Sequence, residues 1–516
     1  MTLGATTSIA LHGLGGRVVG VEAHLSSALP GLIVSGLPDA ACRQANERVR
    51  AACESSKLTL PSQKIVVNLS PASVPKNGSG YDLAIAVAIQ AGLDAIPQQA
   101  CRRVAHLGEL GLDGSVRGIP GVLPAVLAAA RAGIEDVLVA EVNAAEARLV
   151  DGVRVHPVAT LTEAVERYRE LGAPAGWPAG SVADGVGPAA RPVPDLADVS
   201  GQAQARVAVE VAAAGGHHLL LTGPPGSGKT MLAERLVGLL PPLGLQDAMD
   251  VLSIRSLQGD ANAETLLDTT PPYVAPHHGA SLAAMVGGGS GLIRPGAVSA
   301  AHLGVLFLDE APEFRTEVLQ SLRQPLESGE VTVARARMTV TYPARFQLVL
   351  AANPCPCGQG FGKALRCTCS PLRRRSYAAR LAGPLLDRVD VQVHVPAVTR
   401  AASAATGGEA TAVVAERVAS ARAAAQARWS RTPEGQGWRI NSQVPGRVLR
   451  TGKWRLPPTV TSDIDRALER GLLTLRGYDR VLRVAWTQAD LAGRSSPGPD
   501  DVGIALLLRT NGQEAA

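Results

Sequence analysis

The chain holds 516 residues, 46% hydrophobic and 18% charged, a balance that supports several aliphatic cores and excludes wholesale disorder. Its net charge of +5, from 50 basic and 45 acidic residues, is too mild to mark a nucleic-acid binder by composition. No apolar run approaches the ~18 residues of a membrane span, the N-terminus lacks signal-peptide regions, and seven cysteines, four of them from Cys355 to Cys369, favour a reducing cytoplasm over a secreted disulfide framework.

In residues 1–170, short apolar runs (KIVVNL, VRGIPG, DVLVA) alternate with Ala-rich helical stretches, which predicts a compact α/β domain. Residues 171–195 are rich in Pro, Gly and Ala and lack periodicity, so they read as an interdomain linker. From 196 to 395 the pattern predicts a doubly wound parallel sheet, with strands at 216–222, 304–308 and 346–351 and a helix at 231–240. A hairpin is expected at 331–342. Residues 396–516 read as helical, the clearest amphipathic stretches being VVAERVASARAAAQARW and VTSDIDRALERGLL.

Gly223, Pro224, Pro225, Gly226, Ser227, Gly228, Lys229 and Thr230 spell G-x-x-x-x-G-K-[ST] between a predicted strand and a predicted helix. Glycines let backbone N–H groups turn inward around phosphate oxygens, and the helix points its positive end at the same anion. Lys229 is placed to reach the β- and γ-phosphates of ATP and Thr230 to ligate Mg²⁺. A second apolar strand, VLFL, ends in Asp309 and Glu310, at the edge where such sheets bind ligands. Asp309 is expected in the Mg²⁺ shell and Glu310 as the general base for the attacking water. The strand FQLVLAA ends at Asn353, whose neutral amide can hold that water or sense the γ-phosphate. Arg388, in LLDRVD, is a candidate arginine finger, the alternative being an ion pair with Asp387 or Asp390.

These elements, in this order, resemble the AAA+ ATPases. The runs AAAGGHHLLLTGPPGSGKTMLAERL, APHHGAS, AHLGVLFLDEAPEF, ANPCPCG and LAGPLLDRVDVQVHVP, with LRGYDRVLRVA near the C-terminus and VNLSPASVPKNGSGYDLAIA near the N-terminus, are similar to the ComM (YifB) family of magnesium-chelatase-like ATPases. That resemblance implies a ring-forming, hexameric motor that hydrolyses ATP to drive branch migration or helicase-like remodelling of single-stranded or branched DNA in recombination or natural transformation. The alternative is a chelatase-type motor remodelling a partner protein. It implies that Arg388 acts on a neighbour's ATP and that Arg476 is a sensor arginine, with Arg480 the close alternative. The N-terminal domain resembles the proteolytic domain of Lon, but Gly80 and Leu123 stand at the serine and lysine positions, so it is expected to be non-proteolytic.

Cys355, Cys357, Cys367 and Cys369 form two C-x-C knuckles, a set able to hold structural Zn²⁺ or, alternatively, a loop of reduced thiols. Arg335 and Arg337 in the hairpin, and Arg294 in MVGGGSGLIRPG, could track a phosphate backbone, or simply belong to solvated turns. The adjacent His277 and His278, with no third ligand nearby, read as structural. Ser79 is a serine beside Gly80 without a lysine partner at the expected place. The run 401–455 carries nine basic and three acidic residues among Trp429, Trp438 and Trp454, either a stacking surface or the solvated face of a helical lid.

Overall fold

The computed structural model describes residues 2–27, 29–172, 192–260, 268–289, 292–335, 338–360, 367–381, 383, 385–397, 408–432 and 437–510. Most of the expected linker, residues 173–191, therefore lies outside the described residues. Among them, no helix is long and apolar enough to cross a membrane.

The N-terminal part is a seven-stranded sheet. Its strands are β1 (Thr2–His12), β2 (Gly15–Ser26), β3 (Gly31–Ser35), β4 (Lys64–Ser70), β5 (Val104–Leu107), β6 (Asp136–Ala140) and β7 (Arg154–Val158), in the order β3-β4-β2-β1-β5-β6-β7. β1 and β2 form a long antiparallel hairpin, with Thr2 opposite Leu25 and His12 opposite Gly15. In β2, Val19, Val21, Ala23 and Leu25 are buried at every second position, the period-two pattern of a strand with one face on a core. Helix α1 (Asp82–Gly92) is buried along its whole length and lies on β1. Helix α2 (Val122–Arg131) packs on β2. KIVVNL and DVLVA become strands, but only Val116–Arg117 of VRGIPG does. The rest is a turn, with Gly121 at φ +84° and Ile119 N donating to Asn143 Oδ1 at 3.0 Å.

The central sheet is parallel, as expected. Its strands are β8 (Leu219–Thr222), β9 (Tyr273–Val274), β10 (Val305–Leu308), β13 (Gln347–Ala352) and β14 (Val391–His394), in the order β9-β10-β13-β8-β14. β11 (Glu330–Arg335) and β12 (Met338–Pro343) form the expected hairpin outside it. β10 and β13 are buried at every residue, which is why they read as unbroken apolar runs. β8 starts later than expected, because His217 and His218 make the turn into it. His217 N donates to Ala212 O at 3.0 Å, and His218 O accepts from Asp390 N and Val391 N.

Helices α3 (Ala203–Gly215), α4 (Lys229–Leu239) and α5 (Leu245–Gln258) accompany the sheet. Leu219 and Leu221 join one buried cluster with the C-terminal helices α6 (Thr411–Trp429), α7 (Pro458–Glu469), α8 (Leu475–Leu491) and α9 (Pro499–Thr510). Leu220, Leu306 and Leu308 face the opposite cluster, with Tyr342 of the hairpin. The N-terminal part docks through α5: Ser256 O accepts from Gly121 N at 2.8 Å, and Met249 and Leu252 enter the apolar cluster around α2.

Candidate active site

The loop after β8 is shaped by backbone requirements. Gly223 N donates to Ala352 O at 3.1 Å, and its bare Cα lets Val395 O approach where a side chain would clash. Gly226 and Gly228 adopt φ +74° and +92°, with open space where a Cβ would be, so the need there is conformational and not steric. Ser227 Oγ is buried with no hydrogen-bond partner among the described residues, an unmet valence inside the loop. Its cradle and the N-terminus of α4 fit a polyphosphate.

Lys229, the first residue of α4, folds its ammonium back over the loop. Nζ donates to Gly223 O and Pro224 O at 2.9 Å and to Asn353 Oδ1 at 3.2 Å. Burial lowers its pKa, while the charges of Asp309 and Glu310 oppose the shift. Thr230 Oγ1 donates to Asp309 Oδ2 at 3.0 Å, so a hydroxyl and a carboxylate converge as hard oxygen donors suited to Mg²⁺. Asp309 Oδ1 accepts from Glu310 N at 2.8 Å. Glu310 sits at φ +49°, an uncommon conformation for a non-glycine residue, and its side chain is half-exposed. The fold thus brings together Gly223 to Thr230, Asp309, Glu310 and Asn353.

Two neighbours of this cluster carry little signal in the sequence. His278 Nδ1 lies 3.6 Å from Glu310 Oε2, which places one of the paired histidines beside the expected base; the run APHHGAS is its only trace in the chain. Gln202, at φ +53°, donates to Ser227 O at 3.2 Å and Pro396 O at 2.7 Å, tying the phosphate loop to the end of β14.

The arginines lie apart from this cluster. Arg388 is buried and pairs with Glu327, not with the acids that flank it in the chain. Those acids hold other arginines: Asp387 pairs with Arg476 at 3.3 Å, and Asp390 with Arg480. Burial alone would raise the Asp390 pKa, but the Arg480 charge and the His217 hydrogen bond outweigh it and hold the group well below the usual carboxylate range. Arg480 is thereby committed to a buried structural pair, whereas Arg476 is largely exposed at the start of α8.

The four loop cysteines converge, with all four Sγ atoms within 4.8 Å of one another. The two candidate polymer loops also meet, because the Tyr342 hydroxyl of β12 donates to Ile293 O. Arg294 and Arg335 are exposed on that joined unit; Arg337 lies outside the described residues. The stacking reading of 401–455 is corrected. Trp429 is fully buried, with Trp454 and Trp486 packed around it at ring-centroid distances of 5.0 and 5.7 Å. Arg417 is spent on Glu210 and Glu409, Arg428 on Asp490 and Arg450 on Asp479. In the N-terminal part, Ser79 Oγ donates to Glu109 and the buried Lys76 donates to Pro71 O, so these two side chains bond away from each other.

A parallel sheet with a phosphate loop after one inner strand, β8, and carboxylates at the end of a second, β10, with β13 between them, defines a P-loop α/β protein. Three family profiles then match in series: "Subunit ChlI of Mg-chelatase" over residues 21–143, "Magnesium chelatase, subunit ChlI" over 195–403, and "Magnesium chelatase, subunit ChlI C-terminal" over 408–509. An uncharacterised protein of Mycobacterium tuberculosis is 49% identical over 512 residues, 99% of each chain. The YifB protein of Salmonella typhimurium is 39% identical over 95% of this chain and 94% of its own. The competence protein ComM of Haemophilus influenzae is 38% identical over 96% and 94%. The chain belongs to the ComM/YifB family of magnesium-chelatase-like proteins, with an AAA+ fold and an ATPase-type site.

Proposed function

We propose that this chain is a cytoplasmic, hexameric ring ATPase that uses ATP hydrolysis to move or remodel single-stranded or branched DNA. The convergence of Lys229, Thr230, Asp309 and Asn353 at the mouth of the phosphate loop carries the ATP reading. Lys229 exchanges its carbonyl partners for the β- and γ-phosphates. Thr230 and Asp309 hold Mg²⁺, which when bound neutralises phosphate charge. Glu310 takes the proton of the attacking water, and Asn353 orients that water against the γ-phosphate. Arg388 leaves Glu327 to reach the ATP of an adjacent subunit, with Arg476 contributing as the lid closes.

The joined loops presenting Arg294 and Arg335 support a sequence-independent track for a phosphate backbone. The ComM relative's name, a competence protein, agrees with DNA as the polymer. The N-terminal part, 1–170, is a non-proteolytic scaffold, with 196–395 as the ATPase core and 396–516 as its lid. The chelatase descriptions of the matching profiles favour one rival, the same motor acting on a partner protein. ATPase rate against protein concentration, with and without forked and four-way DNA, separates the readings. The rate per chain should rise with concentration and rise again with DNA. A rate per chain independent of concentration removes the trans finger; absence of both stimulation and salt-sensitive binding removes DNA.

A further inference from the structure

We propose that Cys355, Cys357, Cys367 and Cys369 bind one structural zinc ion, and that this metal braces the phosphate loop from below. All four Sγ atoms lie within 4.8 Å of one another, and three of the pairs stand at 3.3, 3.7 and 3.7 Å. Four thiolates about 2.3 Å from a tetrahedral zinc are about 3.8 Å apart. All four thiols are free, and a disulfide needs its sulfurs at about 2.05 Å. Gly360 N donates to Cys355 Sγ at 3.1 Å, the kind of bond that supports a metal-bound thiolate from outside the coordination sphere. The other three cysteines, Cys42, Cys53 and Cys101, are buried in helices and held by regular structure. Between β13 and Pro371 the described residues contain no helix or strand, so the metal supplies the order that a backbone ladder supplies elsewhere.

The position of this knuckle gives it a further consequence. Cys355 follows Asn353 by two residues, and Gly358 N donates to Cys355 O at 2.9 Å, closing a turn. Gly358 adopts φ +73°, and a Cβ there would stand 2.5 Å from Pro225 Cγ. The turn therefore lies directly against the phosphate loop at one end and carries Asn353, the partner of Lys229, at the other. Metal release frees both. Zinc binding stands on the cysteines alone, whereas its effect on nucleotide rests on the ATP reading above.

The full chain, purified without chelator, should release one zinc per chain to a chromogenic chelator after thiol modification. Reloading with cobalt should produce the intense visible bands of a tetrahedral tetrathiolate. The half-buried pair Cys357→Ser with Cys367→Ser should lose both signals while keeping the far-ultraviolet circular dichroism of the parent. Removing zinc should weaken binding of a fluorescent ATP analogue by at least about tenfold, reversibly on re-addition. Gly358→Ala should keep its zinc and still bind the analogue more weakly. A chain with no zinc and no tetrahedral cobalt spectrum overturns the metal site. Zinc present, with analogue affinity unmoved by both its removal and Gly358→Ala, overturns the brace. Zinc present in a parent chain that binds no nucleotide sinks the ATP reading and the brace together, and leaves the metal site standing.

Discussion

Lys76 and Lys229 are both buried, and both ammonium groups donate to backbone carbonyls of a proline-containing loop. Burial lowers the pKa of each. Their surroundings separate them. Around Lys76 the polar valences are used internally: Asp39 accepts from Cys42 N at 2.7 Å and from Gly78 N at 2.9 Å. Around Lys229, Ser227 Oγ has no partner among the described residues and two carboxylates stand near enough to raise the lysine's pKa. A buried charge alone is therefore weak evidence of function; unmet valences beside it are the stronger sign.

The sharpest way to break this contrast is to remove each charge. Lys229→Ala should abolish nucleotide binding and hydrolysis, read by analogue titration and phosphate release. Lys76→Met keeps the volume and should leave ATPase rate per folded chain unchanged, with a melting shift of only about 2–4 °C. Equal loss of activity in both would show that the N-terminal lysine also serves the reaction.

Arg388→Ala should bind ATP normally and hydrolyse it about 10³–10⁵-fold more slowly, while Glu310→Gln should lose about 10²–10⁴-fold. Mixing the two variants should restore part of the rate under the proposal that one supplies the base and the other the finger at a shared interface. No recovery on mixing would return Arg388 to its Glu327 pair as a structural residue.

The parts legible in the sequence were those that repeat or terminate sharply. β10 and β13 are continuous apolar runs ending in polar groups, and the phosphate loop is local in the chain, so residue types and spacing sufficed. His278 beside Glu310, Glu327 on Arg388 and Gln202 on Ser227 join residues 25 to 61 positions apart and carry no periodicity. The arginines of 401–455 read as a basic surface because Glu210 and Asp490, which neutralise two of them, lie outside that run. That Arg480 is tied to the buried Asp390 while Arg476 stays exposed is a tertiary fact that their spacing in the chain does not carry.

The two sheets can also be compared by acid. His106 is buried and His218 is half-buried, and both are held at about 4 by desolvation. His106 Nε2 lies 2.8 Å from the Tyr168 hydroxyl and Nδ1 lies 3.2 Å from Thr7 O, while His218 Nδ1 accepts from Leu348 N at 3.0 Å. Because the folded pKa lies below the ordinary 6.5, the unfolded chain takes the proton first. Stability is complete above pH 6.5 and declines as pH falls toward 4, by up to about 3 kcal/mol for each ring. Calorimetry at pH 7 and pH 5 should show lower melting temperatures at pH 5. ATP with Mg²⁺ should raise the transition of the ATPase core at either pH; stability unchanged between the two pH values would contradict the neutral-ring assignment.

The smallest effect belongs to the joined loops. Arg294 and Arg335 are exposed and take no part in the hydrogen bonds described for the phosphate loop, so replacing both with Ala should leave DNA-free hydrolysis unchanged. For every phosphate that the double variant no longer neutralises, the slope of log affinity against log salt should flatten by about 0.7–0.9, whatever the DNA sequence. The contrast with Lys229 is one of exposure: a solvated guanidinium gains little until a polymer lies against it, whereas a desolvated ammonium governs the site even before hydrolysis. A salt slope unchanged in the double variant would move the DNA track off these loops and leave the ATP chemistry intact.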